Sequence, residues 1–138
     1  MPHYLVVAHQ TADSEELVEK VRELAEEVSA EFTLLVPATP VDHLATWSEG
    51  ESRAVATKQA ERARIAMEGV GANIVATEIG DPSPFEAVRD RLLHRSYDSI
   101  VVSTFPLKTS RWLKLDVIHR LERAVDVPIV HVVSHSKS

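Results

Sequence analysis

"ANIVATEIGDPSPFEAVRDRLLHRSYDSIVVS", residues 72–103, holds one whole strand–helix–strand unit. It opens on an apolar run, "ANIVATEIG", and closes on another, "SIVVS", each of strand length and rich in branched residues. Between them Ser83 reads as a helix cap and Pro84 as a first helical residue, because proline has no amide hydrogen to leave unpaired there. Phe85, Val88 and Leu92 then recur at helical spacing and are expected to face the core. Strand, helix and strand in that order require a crossover, so the two strands lie parallel.

The same alternation continues in both directions. Toward the N-terminus, "HYLVVA" (His3 to Ala8) and "EFTLLVPA" (Glu31 to Ala38) read as buried strands. The segment between them puts Leu17, Val21, Leu24 and Val28 on one helical stripe, capped by Asp13 or Ser14, with Glu15 and Glu16 at the positive end of the helix dipole. "TPVDHLATWSEGE" is expected to be a long surface loop, and such loops inside compact domains tend to be functional. From about Ser52, the residues Ala56, Ala60, Ala63, Met67 and Val70 form a narrow stripe suited to a helix lying close on a sheet. Toward the C-terminus, Trp112 to Ala124 includes a helix and "VPIVHVVS" is a fifth strand. Near-continuous apolar strands suit a sheet buried on both faces, so the fold expected is a doubly wound α/β domain spanning residues 1–138 as one unit.

Composition narrows the function. A chain of 138 residues, 44% hydrophobic, can bury a core of its own. It has no cysteine, which excludes disulfides, thiolate nucleophiles and cysteine-ligated metal. Its net charge is −6, split as −8 over residues 1–80 and +2 over residues 81–138. An acidic balance argues against nucleic acid as the main partner, although the second half can hold a small anion. No apolar run reaches the roughly 18 residues of a membrane span, and "MPHYLVVAHQ" lacks the features of a signal peptide. A soluble, cytoplasmic protein with no membrane partner is therefore expected.

In doubly wound sheets, ligands sit beyond the carboxyl ends of the strands where the strand order switches. The loops beginning at His9, Ala38, Gly80 and Ser103 are accordingly the ones that matter. His9 and Gln10 end the first strand and face the expected cleft, yet no serine elbow, metal motif or paired carboxylate accompanies them, so binding is read ahead of catalysis. After the fourth strand, Ser103 and Thr104 lead into Lys108, Thr109, Ser110 and Arg111, two hydroxyls and two cations just before Trp112. That cluster reads either as a helix cap, a surface ion pair and a core anchor, or as an anion site, with the structural reading ahead. His43 and Trp47 in the long loop could form a lid over the cleft, or Trp47 could simply anchor the loop. Asp81 and Pro82 read as a device for starting the next helix rather than as ligand contacts. His131 and His135, four residues apart on a strand, lie roughly 13 Å apart and so cannot share a metal; a surface or interface role is expected.

Three features together resemble the universal stress protein family: the polar turn of "VVAHQT", "GDPSPFEAV" after the third strand, and "YDSIVVSTF…VPIVHVV" at the end. The resemblance covers essentially the whole chain. It implies a five-stranded parallel sheet in the order 3-2-1-4-5, and a homodimer formed through the closing strand by Ile129, Val130 and Val132. Exposed apolar edges do invite pairing. Members of that family that bind ATP carry Gly-x-x-Gly, nine residues, then Gly with Ser or Thr. Laid on this chain, those positions hold Ser103, Pro106, Asp116 and Val117, and His9 stands where an acidic residue usually contacts the nucleotide. Pro106 removes an amide donor, and Asp116 would repel phosphate by about 1 kcal/mol at about 4 Å even in water. Standard ATP binding is not expected. The resemblance leaves a non-catalytic binding or regulatory module that acts through another anionic small ligand or a protein partner, with an ATP- or AMP-binding switch or slow ATPase as the alternative.

Overall fold

The computed structural model describes residues 1–39, 49–104 and 115–134, and of residues 49 and 115–117 the backbone alone. The chain runs β1 (His3–Val7), α1 (Glu15–Glu27), β2 (Glu31–Pro37), α2 (Glu49–Gly69), β3 (Asn73–Gly80), α3 (Pro84–Leu92), β4 (Ser99–Thr104), α4 (Leu115–Ala124) and β5 (Ile129–Val133). The strands form one five-stranded, all-parallel sheet in the order β3-β2-β1-β4-β5, as expected. The order reverses direction between β1 and β4, which makes their carboxyl ends the switch point.

Each face of the sheet carries its own core. On one side α1 (Leu17, Val21) and α2 (Ala56, Ala60, Ala63, Met67) cover Val6, Phe32, Leu34, Val36 and Val101. On the other, α3 (Phe85, Ala87, Val88) and α4 (Ile118, Leu121) cover Leu5, Val7, Leu35, Ile100 and Val102. Alternate residues of the central strands thus serve opposite cores, and this is why those strands are apolar without a break. The alanines of α2 fit the close approach its stripe implies. Val28 departs from the expected α1 stripe: it follows the helix as its C-cap, in extended backbone, and is 43% exposed. Helix α2 begins at Glu49, ahead of Ser52, because its apolar stripe starts only after the first turn.

Local chemistry sets the element ends. Ser14, rather than Asp13, caps α1 by accepting from Leu17 N at 3.2 Å. Ser83 caps α3 ahead of Pro84, and Asp81 Oδ1 accepts from Ser83 N at 2.8 Å, the helix-starting role read for Asp81. At the end of α2, Ala72 N donates to Met67 O and Gly71 N to Glu68 O, with Gly71 at φ +98°. That paired closure needs a left-handed residue, and glycine adopts it without strain. Gly80 is constrained differently, since a Cβ there would lie 2.8 Å from Ala87 Cβ and 2.9 Å from Leu35 Cδ1. Its bare Cα lets α3 sit down on the sheet.

Away from the switch point, at the amino ends of the strands, His3 is almost fully buried. Its ring lies between Glu31 Oε1 (3.2 Å from Nδ1) and Thr33 Oγ1 (2.7 Å from Nε2), edge-on to Tyr97. Burial holds this imidazole below its ordinary pKa, against the upward pull of the Glu31 hydrogen bond.

Candidate functional site at the carboxyl ends of the strands

Four hydroxyls from three segments, the β1–α1 connection, the end of β4 and the residue after β5, meet at the switch point. Ser103, in β4, points its side chain toward the α1 face, where Oγ lies 2.7 Å from Thr11 Oγ1 and 3.0 Å from Ser134 Oγ. Ser134, just past β5, lies 2.8 Å from Ser14 Oγ, which in turn receives Leu17 N–H. All four residues are fully buried. The string ties the β1–α1 turn, the end of β4 and the end of β5 to the first turn of α1. Its members depend on one another, because a buried hydroxyl stripped of its partner costs about 1–3 kcal/mol.

The turn itself, His9 to Ala12, closes with Ala12 N donating to His9 O at 3.1 Å. Gln59 reaches it from α2. Its Nε2 donates to His9 O at 3.2 Å and to Gln10 O at 3.4 Å, and its side chain is only 8% exposed. His9 is buried at the base of the turn and Gln10 is half-buried above it.

On the α4 face of the same strand ends, Thr104 Oγ1 lies 2.8 Å from His131 Nε2. Burial pushes the His131 imidazole below its ordinary pKa, with the Glu122 carboxylate pulling the other way. Thr104 is itself buried, so its hydroxyl is committed to the histidine. The third loop is secured by Thr39 Oγ1, which donates to Pro82 O at 2.6 Å, and by Ala38 N, which donates to Gly80 O.

Of the residues singled out in the sequence, the structure brings His9, Gln10, Ser103 and Thr104 to one end of the sheet, where β1 and β4 are neighbours. Ser103 and Thr104 face opposite sides of it, one bonded to Thr11 and Ser134 and the other to His131. Lys108, Thr109, Ser110 and Arg111 lie outside the described residues, as do Pro106, Trp112, His43, Trp47 and His135. The side chains of Asp116 and Val117 do too. Ile129, Val130 and Val132 are half-buried on β5, the outermost strand. Sequence reasoning missed Thr11, Ser134 and Gln59. The available signal was a hydroxyl residue at or just past the ends of β1, β4 and β5, three strands that the sheet order makes adjacent. Among the described residues no group of histidine and carboxylate side chains could hold a metal ion, and no helix is long and apolar enough to cross a membrane.

No family model matches the chain, and no curated protein matches it in sequence. Its fold, by contrast, matches solved structures over nearly its whole length. A universal stress protein from Archaeoglobus fulgidus aligns with a TM-score of 0.68 at 14% identity, over 96% of this chain and 98% of that one. A protein from the universal stress protein family from Burkholderia pseudomallei gives 0.68 at 14% identity, over 96% of each chain. The Archaeoglobus fulgidus universal stress protein in complex with dAMP gives 0.65 at 12% identity, over 96% of this chain and 97% of that one. This chain has the fold of the universal stress proteins.

Proposed function

We propose that this chain is a non-catalytic binding and regulatory module of the universal stress type, which takes a small anionic ligand at the switch point between β1 and β4. The observation that carries the proposal is the convergence there of His9, Gln10 and the polar turn after β1 with the end of β4, on the fold of a protein solved with dAMP. That the usual ATP signature has been lost is supported by Ser103. A glycine at this position would leave Thr11 and Ser134 without the hydroxyl that joins them, so the side chain has taken on structural work. Lys108, Thr109, Ser110 and Arg111 follow in sequence and supply the cations and hydroxyls for an anion, with His43 and Trp47 as lid residues.

A second reading, an adenine-nucleotide switch, is favoured by the dAMP complex of the similar structure. In either reading the protein acts in the cytoplasm in a stress response, as a homodimer. Support for the dimer comes from β5, which ends the sheet and carries Ile129, Val130 and Val132 half-buried.

Native mass spectrometry of the freshly purified protein, followed by titration with dAMP, Mg-ATP and inorganic phosphate, tests both. The two tryptophans, Trp47 and Trp112, report by fluorescence from the two loops in question. Saturable binding of phosphate or dAMP, with Mg-ATP no tighter and with weakening in Arg111→Ala, supports the anion module. Preferential, saturable Mg-ATP binding moves the assignment to the switch. A protein indifferent to all three has an empty cleft, and both readings fail.

A further inference from the structure

Strand β5 keeps one side open. It ends the sheet, and among the described residues only β4 pairs with it. A strand residue aims its N–H and C=O toward the same side, and its neighbours in sequence aim theirs the other way. Ser134 N donates to Thr104 O at 2.7 Å and Pro128 O accepts from Ile100 N at 2.9 Å, so Val130 and Val132 between them also face β4 with their backbone groups. The N–H and C=O groups of Ile129, His131 and Val133 therefore point outward, and Val133 is 38% exposed. Beside this edge a groove runs between β5 and α1, with the side chains of Val130 and Val132 along it and Glu16, Glu19, Lys20 and Glu23 as its wall. Helix α1 holds six glutamates against Lys20 and Arg22, so it keeps a net charge of −4 after its own ion pairs.

We infer that the open edge of β5 is a docking site for an extended, basic segment of a partner protein, which adds to the sheet as a sixth strand. The outward groups of Ile129, His131 and Val133 supply its main-chain hydrogen bonds. Alternate side chains of such a strand lie on the α1 face, over Val130 and Val132 and next to the glutamates. Lysine and arginine suit those positions, because their aliphatic stems cover the valines while their charged ends reach the carboxylates. Charge complementarity selects this occupant over another copy of the chain. A second β5 brings its own acidic α1 to the edge, whereas a basic strand meets the opposite charge. The inference stands apart from the anion-binding reading, and it shares its surface with the proposed homodimer, so partner segment and second copy exclude each other.

The test titrates the full chain with a peptide of about seven residues alternating valine and lysine, and with a valine–glutamate peptide of the same length. Calorimetry reads affinity and light scattering reads the size of the species formed. The valine–lysine peptide is expected to bind saturably, to leave one protein chain per complex, and to lose about tenfold in affinity between 50 and 500 mM salt. The double variant Glu19→Gln, Glu23→Gln, both about half-exposed, is expected to lose about as much at low salt. Val133→Pro removes an outward N–H that β4 does not use, and it is expected to abolish binding while leaving the fold intact. The inference is overturned if the valine–lysine peptide does not bind, if it binds no tighter than the glutamate peptide, or if a folded Val133→Pro binds as the wild type does. Should Val133→Pro not fold, the two peptides and the glutamine variant decide. A dimer that ignores the peptide leaves the homodimer standing and removes this inference; a monomer that binds it does the reverse.

Discussion

The side chains of Thr104 and His131 add to the β4–β5 ladder a hydrogen bond between Oγ1 and Nε2, at 2.8 Å. Its histidine is half-buried, and burial favours the neutral ring. His3 at the other end of the sheet shares that bias. For a cationic group whose folded pKa is depressed, the unfolded chain binds more protons, so stability is full above the unfolded value near 6.5 and declines as pH falls below it. Urea unfolding at pH 7.5, 6.5 and 5.5 is expected to show a midpoint that drops on acidification. His3→Gln is expected to flatten that drop. An unchanged slope in the variant would remove His3 as its source.

The hydroxyl string is expected to behave as a unit. Ser103→Ala and Ser134→Ala should each lower stability by about 1–3 kcal/mol, because each leaves buried hydroxyls without a partner. The double variant should cost less than the sum, since the second removal strands little that the first did not. Denaturant titrations of the three variants measure this coupling. Ser103→Gly, which puts at that position the glycine of the ATP-binding signature, is expected to destabilise at least as much as alanine.

Two glycines should fail for different reasons. Gly71→Ala forces a Cβ into positive φ and is expected to cost about 1 kcal/mol. Gly80→Ala collides with Ala87 and Leu35 at contacts of 2.8 and 2.9 Å and is expected to cost about 1–3 kcal/mol. Trimming Leu35 to Val should recover part of the second loss and none of the first, which thermal melts of the paired variants can separate.

The proposed homodimer predicts a salt signature. A groove of about 400 Å3 runs along β5 beside α1, lined by Glu16, Glu19, Lys20 and Glu23 with Val130, His131 and Val132. Antiparallel self-pairing of β5 turns one copy about an axis normal to the sheet, which keeps like faces together and sets α1 against its mate. Light scattering is accordingly expected to show a dimer that tightens between about 50 and 500 mM salt as the glutamates are screened. Val133→Lys, on the exposed part of the edge strand, should give monomer. A monomer at every salt concentration would rule out the dimer.

The strands and the starts of α1 and α3 are legible in the sequence because local chemistry specifies them, whereas the strand order is implied only by the resemblance to the universal stress protein family. Ser14, Ser83 and Pro84 act on amides three residues away or fewer, and apolar runs report burial on both faces. Val28 misleads because periodicity does not say where a helix stops. The switch-point contacts are harder to read. Ser14 and Ser134 lie 120 residues apart, Thr11 and Ser103 lie 92 apart, and Gln59 meets a carbonyl 50 residues away. Nothing local in a serine or glutamine distinguishes one that caps, one that bridges and one that faces water. Only the adjacency of β1, β4 and β5 brings these residues together.

The four-hydroxyl string has two senses. Ser14 Oγ accepts Leu17 N–H and keeps a second lone pair, so it can donate to Ser134 or accept from it, and each later hydroxyl has the same choice. Rotation of the O–H groups alone reverses the row, with no heavy atom displaced. In one sense the uncommitted proton lies on Thr11, in the other on Ser14. The buried link between the β1–α1 turn and the first turn of α1 can therefore exchange its polarity without changing its shape.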